Sequence, residues 1–374
     1  MNLSPEQRAI RDVVREFAVE EIRPTAAEGD ENQEFPEDVW DGLAELDMTS
    51  MTVPEEYGGI DVGSLTYSVV NEQVAYGALS VATALSVHCL ATSCLAEFGN
   101  DEQKERWLPE MADGRPVGAF ALSEPEAGSN PAEMSTEARR EGDEYVVNGK
   151  KQWITNGKRA DVFILFAKTD RDDPRSITQF VVPKDAGVEV GKKEDKLGLR
   201  ASDTTSLIFD DVRIPAEYRL TEEGRGLSAA FHILTGGRIG IASQAVGLSQ
   251  AALDQAIDYA GEREQFGKPI ADIQTIRHKL ADMQTKLQAS RLLTRDAARL
   301  ADAGEDYQMA ASMAKYFASE SAVDITNEAV QIHGGYGYTT EFDVERFYRD
   351  SKITTIYEGT SEIQKKVIAR NLLD

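Results

Sequence analysis

Val117-Gly118-Ala119-Phe120-Ala121-Leu122 marks the point where the hydrophobic period of the chain changes. Upstream of it apolar residues recur three and four apart. From Val117 onward they fall in short β-type runs: Tyr145-Val146-Val147, Gln152-Trp153-Ile154-Thr155, Val162 to Ala167, Thr178 to Val182 and Thr205 to Phe209. Turn signals such as Asn148-Gly149, Asn156-Gly157 and Asp185-Ala186-Gly187 separate the runs. Many short strands without intervening helices argue for an antiparallel barrel or sandwich rather than alternating βαβ units.

Both flanks read as helical. On the N-terminal side, Ser4-Pro5-Glu6-Gln7 has the residues of a capping box with proline in the first turn, followed by an apolar face at Ile10, Val13, Val14, Phe17 and Ile22 that Pro24 is expected to end. Phe35-Pro36 opens a second helix, Leu65–Tyr76 and Val81–Phe98 are longer ones, and Trp107-Leu108-Pro109 is expected to close the last. On the C-terminal side, Leu227–Tyr259, Ile273–Leu300, Tyr307–Ile332 and the segment after Gly359 suit a four-helix bundle. The expected class is therefore α+β and multi-domain: a helical domain over 1–116, an antiparallel β-barrel over 117–222 and a helical bundle over 223–374.

Composition narrows the function classes. The 374 residues are 41% hydrophobic, enough for a sizeable core, and Lys+Arg 40 against Asp+Glu 65 gives a formal charge of −25 spread along the chain. Nucleic acid and anionic membranes would be repelled by such a surface. At molar salt the Debye length falls to about 3 Å, so a salt-loving source is the expectation for this charge. The N-terminus shows no basic leader with an apolar core, and a cytoplasmic protein without membrane insertion is expected. Cys89 and Cys94 lie five apart in an apolar helix and should be reduced, buried thiols; the four histidines show no metal-ligand spacing, so no metal is expected.

Gly224-Arg225-Gly226-Leu227-Ser228-Ala229 formally fits the dinucleotide fingerprint, but Thr221-Glu222-Glu223 precedes it in place of a buried strand, which argues against a nicotinamide site. The chemistry points instead to Ile356-Tyr357-Glu358-Gly359-Thr360-Ser361-Glu362-Ile363-Gln364. Here a lone carboxylate sits at a structural break between an apolar pair and a Gly-Thr-Ser turn. Ile356 and Tyr357 can desolvate Glu358 and raise its pKa, as a general base requires, while Thr360 or Ser361 can cap the final helix with Glu362 or Gln364.

That run resembles the signature of the acyl-CoA dehydrogenase family, short- and medium-chain members in particular, and similar motifs recur in order from about Glu6 to Arg370. The resemblance implies FAD as cofactor, an acyl-CoA substrate and electron-transferring flavoprotein as electron acceptor. It also implies a homo-oligomer, a tetramer built as a dimer of dimers. The residue matching Glu358 removes the α-proton of the thioester while the β-hydride goes to flavin N5, giving the trans-2-enoyl-CoA. In the loop Phe120–Pro131, Phe120, Leu122 and Ser123 match positions that meet the isoalloxazine, and Ser129 one that meets both FAD and the CoA side; Ser123 and Asn130 stand where Thr and Asp are common. Trp153 and Thr155 match the second flavin strand. Arg263 matches the pyrophosphate arginine, with Gln265, Phe266 and Gln274 beside it, and Gln331, Gly334 and Gly335 match positions that hold the adenosine end from a neighbouring subunit; Thr360 and Glu362 are further cofactor positions. On the substrate side the resemblance implies Arg238, Gly237, Ile241, Tyr357 and Gly359, with Thr235 where Asp is usual. Some relatives carry their base at the position matching Gly237, which here has no carboxylate. An acyl-CoA oxidase or flavin monooxygenase on the same scaffold, or a silent acyl-CoA-binding protein, are the alternative readings.

Overall fold

The computed structural model describes residues 3–373; Met1, Asn2 and Asp374, at the ends of the sequence-derived ranges, lie outside them. Ser4 caps α1 (Pro5–Phe17) through a reciprocal box with Gln7, each bond 3.0 Å long. The helix does not stop at Pro24. A π-helical turn over Ala18–Ile22 carries it into α2 (Arg23–Asn32), with Pro24 in the first turn of the new segment, where its missing N–H costs nothing. A short α3 (Glu37–Glu45) precedes α4 (Ser64–Gly77), α5 (Leu79–Phe98) and α6 (Asp101–Ala112), the last capped by an Asn100–Gln103 box. Pro109 lies inside α6 rather than at its end, on the solvent face, where water can satisfy the carbonyl it leaves unpaired. By length and composition α5 passes for a membrane span, with mean hydropathy 1.6 over its apolar window, but 89% of that window is packed inside the protein. It is a core helix, apolar on all sides because all sides are covered. Cys89 and Cys94 on it are buried free thiols.

The middle of the chain is a curled seven-stranded sheet: β1 (Gly118–Ala121), β2 (Glu137–Glu141), β3 (Glu144–Thr155), β4 (Val162–Lys168), β5 (Ile177–Pro183), β6 (Glu189–Lys193) and β7 (Thr204–Pro215), in the order β1-β4-β2-β3-β7-β6, with β5 on the other side of β4. Most pairs are antiparallel, but β1 and the start of β2 lie end to end along β4 and run parallel to it. Asn148-Gly149, expected as a turn, lies within β3. There it makes a bulge against β7, with Asn148 and Asp211 exchanging two hydrogen bonds. Gly149 is required at that bulge, because φ is 149° and a Cβ would stand 2.5 Å from Thr136 Oγ1.

From Gly226 the chain is helical: α7 (Gly226–Glu262), a small hairpin at Glu264–Pro269, then α8 (Gln274–Asp302), α9 (Gln308–His333), α10 (Val344–Ser351) and α11 (Ser361–Leu373). Helix α7 is the axis of the molecule, packed against α9 and α8 on one side and α4 and α5 on the other. Two arginine forks tie the regions together. Arg159, in the loop after β3, grips Glu37 and lies over Phe35 and Trp40, and Arg349 of α10 grips Asp30 of α2.

Candidate active site

Glu358 stands between the one-turn segment Lys352–Thr355 and α11, in a left-handed conformation (φ 50°), followed by Gly359 at φ 93°. Two consecutive residues in this region turn the chain sharply and leave the Glu358 side chain pointing away from α11's own hydrogen-bonding. The turn is held from behind. The Gly359 carbonyl accepts from Lys315 Nζ (2.8 Å) and Gln364 Nε2 (2.9 Å), and Thr360 Oγ1 caps α11 by accepting from the Ile363 N–H (3.3 Å). Part of the residue's surface remains accessible, but one carboxylate oxygen, Oε2, is enclosed and has no hydrogen-bond partner. Burial pushes the carboxyl up to about 7, against the opposing charges of Lys315 and Arg238.

Gly237 of α7 makes room for this group. A Cβ there would lie 2.5 Å from Glu358 Oε2 and 3.3 Å from Leu90 Cδ2 of α5. Gly237→Ala is therefore expected to displace the carboxylate by the better part of an ångström, which for a general base, the role expected of Glu358, would slow proton transfer about a hundredfold. Stopped-flow bleaching measures the rate, and unchanged cofactor content in the same sample excludes misfolding.

Beyond Gly237, α7 carries Ile241, buried, and several polar side chains lie nearby. Tyr67 Oη and Ser86 Oγ are 3.2 Å apart, both within van der Waals reach of a Cβ at Gly240, and Tyr357 Oη donates to Gln244 Oε1 (3.1 Å). Arg238 is buried with its Nε unpartnered and Nη1 donating to Ser312 Oγ (3.3 Å). Thr235 turns its hydroxyl back onto the Phe231 carbonyl (2.8 Å).

The strand-and-loop residues cluster at the edge of the sheet. A bulge between Lys151 and Ile154 throws Trp153 outward at φ 63°, leaving the residue 59% exposed as a large flat apolar surface. Thr155 ends β3, and its neighbour Asn156 donates to Ala84 O of α5 (2.9 Å) and Gly118 O (3.2 Å). The same helix reaches Gly237 through Leu90, six residues on, about 9 Å along the axis. Thus α5 ties the Trp153–Thr155 strand end to the Glu358 pocket. Phe120 is half-buried against Phe166, Leu122 is buried, Ser123 accepts the Gln152 N–H (2.9 Å) through its carbonyl, and Ser129 is exposed.

A second cluster lies elsewhere. Arg263, Gln265, Phe266, Gly334 and Gly335 line one cleft of about 690 Å³ with Tyr259 and Tyr336; Phe266, at the tip of the hairpin, is 92% exposed, and nothing lies within 4 Å of a Cβ at either glycine. Gln274 and Gln331 are exposed near this cleft without lining it, and Glu362 is exposed on α11. Arg263 caps the far end of α7. From 237 to 263 at about 1.5 Å per residue the two clusters stand about 39 Å apart along one helix.

Two buried lysines escape a reading of motifs. Lys151 on β3 pairs with Glu124 of the loop after β1 (2.8 Å), both essentially without exposure. Lys315 lies on the face of α9 that also carries Ala311, Ala314, Ala318 and Ala322, all buried. A charge on an apolar helical stripe was the available signal for it.

The whole chain matches known sequence families over these same regions. Residues 4–115, 119–212 and 224–373 match the N-terminal, middle and C-terminal domains of acyl-CoA dehydrogenase. The chain belongs to the acyl-CoA dehydrogenase family. It is 46% identical to the short-chain specific acyl-CoA dehydrogenase of rat (Rattus norvegicus) mitochondria, with all of this chain and 91% of the rat protein aligned. Its fold superposes on butyryl-CoA dehydrogenase from Megasphaera elsdenii with a TM-score of 0.97 at 40% identity, covering 100% of both chains. A chain in a structure described as the electron transferring flavoprotein of Acidaminococcus fermentans gives 0.98 at 41% identity, with 100% of this chain and 99% of that one covered. The acyl-CoA dehydrogenase family comprises FAD-dependent oxidoreductases that act on acyl-CoA. The residues here fit that cofactor: a bare indole for a flat ring, an exposed arginine for a pyrophosphate in a chain of charge −25, and glycines that leave open space where a nucleotide needs close approach.

Proposed function

We propose that this acyl-CoA dehydrogenase oxidises a short, straight acyl-CoA to the trans-2-enoyl-CoA, with Glu358 as the base that takes the α-proton. The observation that carries the reading is the enclosed, unpaired Glu358 Oε2 facing Gly237, held at a pKa near 7. FAD, when bound, supplies the hydride acceptor. The protein's own part is to present a desolvated carboxylate, to hold the thioester carbonyl at the Glu358 backbone N–H so that the α-proton is acidified, and to keep water from the pocket. Trp153, Thr155 and the Phe120–Ser129 loop would hold the ring, and Arg238 the CoA side. The polar stop formed by Tyr67, Ser86, Gln244 and Tyr357 favours a short tail, as do relatives named for short-chain and butyryl substrates.

Because Gly237, facing Glu358, and Arg263 of the arginine cleft lie about 39 Å apart along one helix, farther than an extended dinucleotide reaches, the cofactor's two ends would be held by two copies. A homo-oligomer is part of the proposal. Electron-transferring flavoprotein is the proposed acceptor, supported by the similarity to the Acidaminococcus chain. A reducing cytoplasm suits the two free thiols, and a saline one suits the charge of −25; loss of activity on dialysis to low salt is the expected result for the latter.

The test is the visible spectrum of the protein purified in high salt, followed by anaerobic addition of acyl-CoAs from short straight to branched. Bleaching by the short straight esters is expected; a flavin that no CoA ester reduces would overturn the proposal. The acid limb of kcat/KM follows from Glu358: its carboxyl must be ionised in the free enzyme, so the rate should rise with pH through about 7 and fall tenfold per unit below it.

A further inference from the structure

Lys315 is fully buried on α9, and among the described residues its ammonium makes one hydrogen bond, to the Gly359 carbonyl at 2.8 Å, and no ion pair. A lysine sealed in the protein without a carboxylate partner is costly unless its charge is used. Burial pulls it down to about 8, with Arg238 pressing the same way and Glu358, Glu320 and Glu362 opposing. The residue it clamps directly follows Glu358. The groups acting on Glu358 are Lys315 from α9 and Arg238 from α7, with the hydroxyls of Tyr67 from α4 and of Tyr357 coupled to it. Of the two cations, Arg238 spends a hydrogen bond on Ser312, whereas Lys315 is fixed to the turn that carries the base.

We propose that Lys315 is a positioning residue for the reaction: it pins the left-handed turn at Glu358–Gly359 through the Gly359 carbonyl, and its enclosed charge favours the carboxylate form of Glu358. The inference rests on Glu358 being the base. Oε2 has no hydrogen bond to favour its charged form, so the buried cations, Lys315 first and Arg238 after it, are what oppose its desolvation.

The experiment compares Lys315→Met, Lys315→Gln and Lys315→Arg with the wild-type full chain. Two quantities are read: infrared titration of the Glu358 carboxyl, assigned by difference against Glu358→Gln, and the acid limb of kcat/KM in flavin-loaded protein. Met removes both charge and donor, Gln keeps a donor for the Gly359 carbonyl without the charge, and Arg keeps the charge. The expected result is an upward shift of about one to two pH units for Met and Gln alike, and none for Arg. Met and Gln variants that titrate where wild type does would overturn the proposal, and so would Gln behaving as wild type while Met shifts, since the hydrogen bond alone would then suffice. Should the Met variant fail to load flavin, the Gln and Arg pair decides by the same readings, of which the infrared one needs no turnover. Flavin reduction surviving in Glu358→Gln would instead remove the assignment of the base. A silent Glu358→Gln with unmoved Lys315 variants defeats this inference alone.

Discussion

Glu358→Gln should lose flavin reduction by acyl-CoA by about a thousandfold or more while still binding flavin and thioester. The amide keeps the volume and the left-handed backbone but cannot accept the α-proton. The same substitution should make the protein more stable at neutral and alkaline pH. In the folded state the carboxyl is raised to about 7 from an ordinary 4.5, so above pH 7 the fold carries a charge it has desolvated, at a cost of about 3 kcal/mol. Below pH 4.5 the carboxyl is neutral folded or unfolded and the difference vanishes; between those values it grows with pH. Anaerobic stopped-flow measures the first effect, and thermal unfolding at pH 4.5 and 8 the second. A variant that keeps reducing flavin at the wild-type rate would remove Glu358 from the mechanism.

Lys151→Met should cost about 3–5 kcal/mol and release the cofactor. Lys151 Nζ reaches Glu124 Oε1 (2.8 Å) and the Leu122 carbonyl (3.1 Å), and Glu124 in turn accepts from the Ser135 N–H (2.6 Å) and hydroxyl (2.8 Å) and the Thr136 N–H (3.0 Å). The pair therefore fastens both ends of the loop that carries Ser123 and Ser129. Burial works to raise the Glu124 carboxyl, but the Lys151 charge and these hydrogen bonds outweigh it and hold the group at about 2. Without Lys151 a buried carboxylate is left uncompensated. Adding Glu124→Gln should recover part of the loss, because the neutral amide tolerates burial. Thermal unfolding and flavin retention on gel filtration read both variants. Equal losses in the single and double variants would show that the charge of Glu124 is not what the lysine compensates.

The helix start at Ser4 was legible because a capping box is local: the partners are three residues apart and the geometry follows from the sequence. Pro24 and Pro109 misled for the same reason. Each proline removes one N–H, but whether the helix survives depends on a π turn in one case and an exposed carbonyl in the other, neither written at the proline. Asn148-Gly149 has the residues of a turn and forms a bulge, because β7 runs alongside and supplies Asp211, 63 positions away. Candidate site residues in short motifs, such as Trp153 and Glu358, could be named from their neighbours. Its alanine stripe marks Lys315 as out of place, but the partners of Lys151 and Lys315 could not be named, since they lie 27 and 44 positions along the chain.

The left-handed backbone at Glu358 also bears on descent. One base change turns a glutamate codon into a glycine codon, and at φ 50° glycine relieves a conformational cost of roughly 1–2 kcal/mol while adding a chain-entropy cost of similar size. Because the exchange also removes the desolvated carboxylate, selection for folding alone would favour it at neutral pH. A duplicated copy of this gene can therefore drift into a folded, ligand-binding relative without chemistry by a single step, and only selection on turnover holds the carboxylate in place.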